Sequence, residues 1–170
     1  SIFGTGGATD IMAGPGPAFQ FLGTHEGTDD PESVLDNVWQ RQRLPIITGI
    51  EIRGDHPESI GLRLEKTMQA ALTNVLIRRC KIGIHLPTRS RNLIIDHCHI
   101  YHNTQVGIDF DRINLHQAII SNSHISYNRV AGIRLLGGQM RNFQFVGNVI
   151  EYNYDPNLED CADILIDMTP

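Results

Sequence analysis

Apolar and polar residues alternate in short segments between residues 45 and 153, and the segments recur along the chain. Alternation with a period of two is typical of a β-strand that buries one face. Helical spacing persists nowhere in this region. We expect strands in one set of aligned segments: VLIRRCKI (75–82), LIIDHCHI (93–100), AIISNSHI (118–125) and FQFVGNVI (143–150).

A second set of segments begins with Gly and continues apolar, polar, apolar. Its members are GLRL (61–64), GIHL (83–86), GIDF (107–110) and GIRL (132–135), with DILI (163–166) as a degenerate last member. The step within the sets is 18 to 25 residues up to residue 150 and about 31 at the end. Two or three short strands in a repeat of this length predict a solenoid. A leucine-rich repeat would need a Leu/Asn consensus and a helical stretch, and the chain has neither.

The repeat apolar-x-x-Asn-x-Ile-x-x-Asn followed by Gly-Ile-x-Leu resembles that of the right-handed parallel β-helix. This fold is shared by pectate lyases, polygalacturonases and phage tailspikes. The resemblance covers about 45–166 and, more loosely, GPAFQFLG at 16–23. THEGTDDPESV (24–34) and RQRLPIITGIEIRGDHPES (41–59) also resemble bacterial β-helix-repeat proteins of unassigned activity. The resemblance implies an all-β, right-handed parallel β-helix of about five to six coils, forming one domain over 1–170.

Equivalent residues of successive coils lie about 4.8 Å apart, so inward columns can be predicted. We expect four apolar columns: Ile52, Ile77, Ile95, Ile120 and Phe145; Ile82, Ile100, Ile125 and Ile150; Leu62, Ile84, Ile108, Ile133 and Ile164; Leu64, Leu86, Phe110, Leu135 and Ile166. A fifth column at a bend would hold Cys80, Cys98, Ser123 and Asn148. Stacked thiols there could oxidise, but in-register stacking rarely gives disulfide geometry, so free thiols are favoured.

Asn recurs at a fixed spacing in CHIYHN (98–103), SHISYN (123–128) and NVIEYN (148–153). Asn tolerates the left-handed backbone of a tight bend, and its amide can both donate and accept. We therefore predict a structural ladder of Asn103, Asn128 and Asn153, one residue from each coil.

The stretch 23–44 interrupts the repeat. Asp30, Pro31 and Glu32 form a helix start signal, and Val34, Leu35, Val38 and Trp39 follow at helical spacing. We expect a short helix at about 31–42, inserted after the first coil. It would act either as a cap or side cover of an exposed coil or as the wall of a groove.

Charge and composition exclude several classes of protein. Fourteen Lys and Arg against nineteen Asp and Glu give a net charge of −5, which argues against a nucleic-acid binder. No apolar run is long enough to span a membrane. Three cysteines at irregular spacing form neither a disulfide framework nor a metal motif. The chain starts without Met and stops inside an apolar alternation, so we interpret it as a fragment of a longer protein.

The outward residues of the Gly-apolar-polar-apolar strands supply the candidate chemistry. One column contains Gln20, Arg63, His85, Asp109, Arg134 and Leu165, and Asp111 and Arg112 follow Asp109. Asp109 and Asp111 would lie about 6.5–7 Å apart on one strand face, which suits a carboxylate pair. We predict Asp109, Asp111 and His85 as catalytic residues. The predicted substrate-binding residues are Arg63, Arg112, Arg134, His116 and Arg89.

Fold and charged residues together suggest a carbohydrate-active protein, a lyase or glycoside hydrolase acting on an extracellular polysaccharide or oligosaccharide. A lyase could use Ca²⁺, and such a protein would work extracellularly, in the periplasm or at the cell surface. The family's catalytic motifs are absent, so no catalytic residue is transferred from it; the one Asp-Asp pair, Asp29–Asp30, lies in the insertion. The same residues also fit a solvated charge ladder. A non-catalytic glycan-binding or structural module, or a tailspike-like part, is therefore the alternative.

Three histidines form a weaker candidate metal site. His97 and His99 would face outward together, and His124 would stack on His99 one coil later. Imidazoles suit Zn²⁺ and similar ions, but no carboxylate column converges on them. Surface histidines are the simpler interpretation.

Overall fold

The computed structural model describes residues 1–27 and 30–168. Thr28, Asp29, Thr169 and Pro170, including one member of the Asp-Asp pair, lie outside the described residues. The strands are β1 (Ile2–Phe3), β2 (Asp10–Ala13), β3 (Gly16–Leu22), β4 (Ile46–Thr48), β5 (Glu51–Gly54), β6 (Ser59–Glu65), β7 (Thr67–Met68), β8 (Ala71–Thr73), β9 (Leu76–Arg78), β10 (Ile82–Asp96), β11 (His99–Tyr101), β12 (Val106–Ser121), β13 (His124–Ser126), β14 (Ala131–Leu136), β15 (Gln139–Val146), β16 (Val149–Glu151) and β17 (Ala162–Asp167).

These strands form two parallel sheets. The smaller sheet has the order β16-β13-β11-β9-β5-β2, and the larger follows β1-β4-β8-β10-β12-β14-β17, with β3, β6, β7 and β15 paired to it. Each strand pairs in parallel with its equivalent from the next turn. The long strands β10 and β12 each bend at two left-handed corners, Thr88 and Asn92 in β10 and Arg112 and Gln117 in β12, and so contribute to three faces. The arrangement confirms the predicted all-β parallel solenoid.

The turns are evenly spaced in the middle of the molecule. Ile47, Leu72, Ile95, Ile120 and Phe145 occupy equivalent positions in successive turns. Four complete turns therefore lie between Ile47 and Phe145, with incomplete turns on either side. This is slightly fewer than the predicted five to six coils, because the first turn is interrupted by the insertion and the last by residues 154–161.

Two of the predicted core columns are confirmed. Leu62, Ile84, Ile108, Ile133 and Ile164 follow one another in register. Leu86, Phe110, Leu135 and Ile166 do the same two residues later, and Leu64, the predicted first member, is buried in the same core. The inner members are completely buried and form the centre of one continuous core. Apolar burial along these columns is the main stabilising contribution to the fold.

The other two predicted columns are only partly correct, because each mixes two faces. The register confirms Ile52 with Ile77, Ile95 with Ile120 and Phe145, and Ile100 with Ile125 and Ile150. Ile77 pairs with Ile100 and not with Ile95, whose partner is Leu72. Ile82 pairs with Ile60 and Val106 and not with Ile100. Every turn carries two inward apolar residues five positions apart. Shifting the alignment by five residues therefore still matches apolar residues with apolar residues, and the error is not visible in the sequence.

The same five-residue misalignment placed Cys80 in the wrong predicted column. The backbone N–H of Cys80 donates to Asn103 Oδ1, whereas that of Cys98 donates to Ser123 Oγ. The two thiols thus belong to different columns, and both are free and buried. Burial raises the pKa of each to about 11, which keeps them protonated at neutral pH.

Asn103, Asn128 and Asn153 form a hydrogen-bonded ladder in the interior. Nδ2 of Asn103 donates to Oδ1 of Asn128 at 2.8 Å, and Nδ2 of Asn128 donates to Oδ1 of Asn153 at 2.8 Å. Each accepting oxygen also takes the backbone N–H of the preceding Asn, at 3.2 and 3.1 Å. Asp163 occupies the next place, where its Oδ1 accepts both N–H groups of Asn153. These bonds satisfy polar groups that are shielded from water.

The left-handed backbone at these bends belongs to the residue before each Asn. His102, Tyr127 and Tyr152 have φ values of 53°, 55° and 54°. The expectation that the ladder asparagines themselves are left-handed is therefore wrong. Because the preceding residue makes the turn, the Asn side chain can direct its amide along the axis of the solenoid.

Glycine is required beside this ladder. A Cβ on Gly107 would lie 2.5 Å from the carbonyl oxygen of Gly132 and 2.9 Å from Nδ2 of Asn128. Gly61, Gly83 and Gly132 are restricted in the same way by the backbone of the following turn. The Gly that opens each Gly-apolar-polar-apolar segment therefore permits the close approach of successive turns.

The insertion contains less helix than predicted. A 3₁₀ turn covers Pro31–Ser33, and helix α1 covers Asp36–Arg41. Val34 and Leu35 between them are extended, so the predicted helix at 31–42 is split. Val34 and Val38 pack on Met68, with Trp39 beside them. The insertion thus covers the side of the stack at the corner formed by β7.

Replacing Asn128 by Leu should destabilise the fold by about 1–3 kcal/mol, because the buried amides of Asn103 and Asn153 lose their partner. The free energy of unfolding can be measured by urea denaturation. Asn37→Leu on the exposed surface of α1 is the control and should change it little. An unchanged free energy of unfolding for Asn128→Leu would contradict a stabilising ladder.

Replacing Gly107 by Ala should destabilise the fold by about 1–3 kcal/mol, because the new methyl group overlaps the next turn. Gly14→Ala is the matched control, since a Cβ there meets no atom within 4 Å. The same denaturation assay compares the two. Equal stabilities would show that the turns can separate to admit a methyl group.

Candidate functional site

The predicted outward column is present in the structure. Gln20, Arg63, His85, Asp109, Arg134 and Leu165 are register partners in successive turns. Their neighbours on each strand point into the core, so these side chains lie on the outer side. We call the surface formed by Arg63, His85, Asp109, Asp111, Arg112 and Arg134 the charged face.

Asp109 is held in a two-bond ion pair with Arg134. Nε of Arg134 donates to Oδ1 at 2.9 Å and Nη2 donates to Oδ2 at 2.7 Å. Asp109 is 1% exposed, and its hydrogen bonds raise the pKa of Arg134. Both oxygens are engaged by a charged partner. This geometry gives Asp109 and Arg134 a structural role and does not support the predicted roles in catalysis and substrate binding.

Asp111 lies two residues further along the same strand and is more accessible. Its Oδ1 accepts a hydrogen bond from Nη1 of Arg112 at 2.8 Å, and its Oδ2 faces Nε2 of His85 at 3.4 Å. The second distance is long for a hydrogen bond. Nδ1 of His85 is buried and has no hydrogen-bond partner in the part of the chain that the structure describes. His85, Asp111 and Arg112 are thus brought together as a cluster, with Arg112 the most exposed at 71% of its side chain.

Arg63 makes its ion pair along its own strand. Its Nη2 donates to Oε2 of Glu65 at 2.9 Å, and its Nε donates to the same oxygen at 3.2 Å. Glu65 was not among the predicted site residues, although its position two residues after Arg63 could have indicated it. The charged face therefore consists of neighbouring opposite charges, as in a charge ladder.

Arg89 and His116 lie beyond the next corner. Arg89 is the register partner of Asn114, and Arg91 is the partner of His116. Nη1 of Arg89 donates to the carbonyl oxygen of Gly27 in the insertion. The predicted substrate-binding residues therefore occupy two adjacent surfaces instead of one.

His25 completes this second surface and was not predicted. It is 2% exposed, and its backbone N–H donates to the carbonyl oxygen of Lys66 at 3.3 Å. It lies in the non-repeating insertion, so no column in the sequence indicated where it would be placed.

The three candidate metal-binding histidines separate into two groups. His99 and His124 are register partners, with ring centroids 5.4 Å apart. His97 lies at a left-handed corner, and its Nδ1 contacts Oδ2 of Asp96 at 2.6 Å. Hydrogen bonds from Ser121, Asn122 and His97 lower the pKa of Asp96 to about 2. Within residues 1–27 and 30–168 no three His, Cys, Asp or Glu side chains could hold a metal ion together.

Comparison with known proteins gives one match. Residues 40–164 match the family model described as the right-handed β-helix region. No curated protein and no solved structure matches the chain. In the part of the chain that the structure describes, no helix is long and apolar enough to cross a membrane.

Replacing Arg134 by Leu should destabilise the protein by about 3 kcal/mol, because it leaves the buried carboxylate of Asp109 without its counter-charge. The double variant with Asp109→Leu should recover most of this loss. Arg63→Leu is the control, since its pair is more exposed and should contribute less than about 1 kcal/mol. Equal effects of Arg134→Leu and Arg63→Leu in thermal unfolding would contradict a structural role for the buried pair.

Proposed function

The chain belongs to the right-handed β-helix family, and we propose that it is a glycan-binding module whose charged face holds an acidic polysaccharide. The observation that carries this proposal is the pairing of the charges. Asp109 is bound by Arg134 and Glu65 by Arg63, while Asp111 contacts Arg112. Carboxylates held in this way are poor general bases or nucleophiles, whereas the partly exposed Asp111 and the exposed Arg112 remain accessible hydrogen-bonding groups of fixed position.

A stack of coils suits a linear polymer. Side chains of one column repeat about every 4.8 Å along the axis, so an extended chain can contact several coils at once. Their orientations are fixed by ion pairs before the ligand arrives, which reduces the entropy lost on binding. Arg112 provides the most accessible cation for an acidic sugar.

The basic residues next to the charged face favour an acidic ligand. Lys66, Arg89, Arg91 and Arg112 lie around one corner, in a protein whose net charge is −5. Glu26 pairs with Lys66 and Asp111 pairs with Arg112, so part of this positive charge is neutralised. Arg112, with 71% of its side chain exposed, is the cation that would attract a polyanion to this surface. Binding of such a glycan is consistent with a location outside the cytoplasm, which we propose with it.

Eliminative cleavage is the second candidate function, favoured by the position of His85 next to Asp111 and Arg112. In this reaction a base removes the proton at C5 of a uronate, the C4–O bond breaks, and a C4–C5 double bond forms. The departing oxygen takes up a proton, and a cation stabilises the charge that develops on the carboxylate. His85 would act as the base and Arg112 as the cation. Hydrolysis is less well supported, because Asp109 is not available as one of two carboxylates.

Ca²⁺ does not fit this surface. The described residues include no cluster of carboxylates that could hold a metal ion, and the acidic groups of the charged face contact arginines or His85. We therefore assign it no part in the proposed function.

The proposal predicts binding without turnover on a panel of uronate-containing and neutral polysaccharides. Affinity electrophoresis should detect retention by the acidic members, and Arg112→Gln should weaken it roughly fivefold to tenfold. Arg79→Gln is the matched control, because Arg79 is also an exposed arginine at a left-handed corner but lies after β9.

Product analysis separates the two candidate functions. Unsaturated products formed by the wild type and by Asp109→Ala, but lost in His85→Ala, would establish the lyase in place of the binding module. The absence both of retention and of unsaturated products on the whole panel would contradict both functions.

A further inference from the structure

A groove lies on the outer face that follows the second corner of β10 and β12. It encloses a cavity of about 230 Å³. One wall consists of amide side chains at the corner, and the other consists of outward side chains of the strands. The amides are Asn92, Gln117 and Asn142, and the outward residues are Ile94, Ile119 and Gln144. We call these six residues the amide groove.

Both walls are columns of the stacked turns. Ile94, Ile119 and Gln144 are register partners on β10, β12 and β15. Each corner amide precedes its outward residue by two positions, and the three have φ values of 55°, 70° and 56°. Successive members of a column lie about 4.8 Å apart. The groove therefore runs along the axis of the solenoid and offers an amide beside an outward side chain at three successive turns.

The amides of the groove retain free hydrogen-bonding capacity. Nδ2 of Asn92 donates to Oε1 of Gln117. Oδ1 of Asn92, Nε2 of Gln117 and the side-chain amide of Asn142 make no hydrogen bond within the part of the chain that the structure describes. Asn is enriched at left-handed corners but Gln is not, so the backbone does not account for the amide at position 117. These groups can donate to and accept from a ligand.

The groove is suited to an uncharged ligand. Among the described residues, no charged side chain lines the cavity. Asp96 lies further along the same face, but its carboxylate is engaged by Ser121, Asn122 and His97. A charged group that entered the groove would lose water without gaining a counter-charge. The amide groove thus differs in chemistry from the charged face.

The apolar wall and the sheet narrow the kind of ligand further. Ile94 and Ile119 are 41% and 37% exposed, and covering them would remove apolar surface from water. β10 and β12 are paired on both sides here, with β8, with each other and with β15, so no backbone edge is open to a peptide strand. The ligand must therefore be recognised by side chains, through apolar faces and hydroxyl or amide groups.

We propose that the amide groove binds neutral sugar residues of a linear glycan. The C–H face of a pyranose ring packs on Ile94 and Ile119, and its hydroxyls exchange hydrogen bonds with the corner amides. The cavity is smaller than drug-sized pockets of about 300–1,000 Å³, so it suits one ring, with the rest of the polymer continuing along the axis. This inference goes beyond the proposed function, because it assigns a second surface and an uncharged ligand.

The test is a titration of the full chain with cellohexaose, xylohexaose and mannohexaose, followed by NMR. At least one of these neutral sugars should shift the side-chain amide signals of Asn92, Gln117 and Asn142 and the methyl signals of Ile94 and Ile119. The absence of shifts with all three, even at millimolar concentration, would overturn the amide groove as a sugar site.

Two variants with matched controls locate the bound sugar. Gln117→Gly removes the amide, while Gly accepts the left-handed backbone, and should weaken binding roughly threefold to tenfold. Asn74→Gly is its control, because Asn74 is an exposed amide at a left-handed corner outside the groove. Ile119→Ala should weaken binding roughly fivefold, and Val149→Ala, at an equally exposed position on the smaller sheet, should not. Unchanged affinity in both groove variants would overturn the proposal.

The remaining outcomes separate this inference from the proposed function. Neutral-sugar binding in the groove without retention of any acidic polysaccharide would keep the amide groove and overturn the acidic ligand of the charged face. A neutral sugar that loses affinity in Arg112→Gln but not in Gln117→Gly would lie on the charged face and overturn the groove. A dimer in sedimentation that Ile119→Ala dissociates would identify a second copy of the chain as the occupant and overturn sugar binding there.

Discussion

Registered stacking of successive turns is the constraint on which the rest of this structure depends. Every inward residue lies between its equivalents in the turns above and below, so a buried polar group must find its partner along the axis. The asparagine ladder meets this requirement, because the amide of Asn103 donates a hydrogen bond to Asn128 and the amide of Asn128 donates one to Asn153. Glycines such as Gly107 leave room for the amides beside the backbone of the next turn. The asparagine ladder and the glycine column therefore depend on each other.

The glycine column also explains which part of the fold could be predicted from the sequence. The Gly-apolar-polar-apolar segments could be aligned correctly because Gly occurs where no other residue fits, and the outward column from Arg63 to Arg134 followed from that alignment. The other strands lack such a marker. Leu72 and Ile77 are interchangeable with Ile95 and Ile100 as apolar residues, so hydrophobicity alone could not fix their register. Buried polar and glycine positions were more informative than the apolar ones.

The same distinction applies to the functional residues. Their positions on the face could be deduced, but their bonding could not, because it depends on side-chain direction. Asp109 turns toward Arg134, and Arg63 turns toward Glu65 on its own strand. Stacking of the turns accounts for the first pair, and the two-residue period of a strand accounts for the second. Both pairs neutralise opposite charges, which moves the interpretation from catalysis toward binding. His25 could not be placed from sequence, because a single copy in a non-repeating stretch has no equivalent to align with.

The insertion leaves the stack after Leu22 and returns at Ile46, yet Leu22 is still paired with Glu65 and Ile46 with Ala71. The length of chain between two stacked strands is therefore independent of the spacing of the coils. Evolution can lengthen, shorten or exchange the segment at this corner while the stacking residues remain unchanged. A segment of another length or sequence can therefore be grafted at this corner without changing the register of the coils.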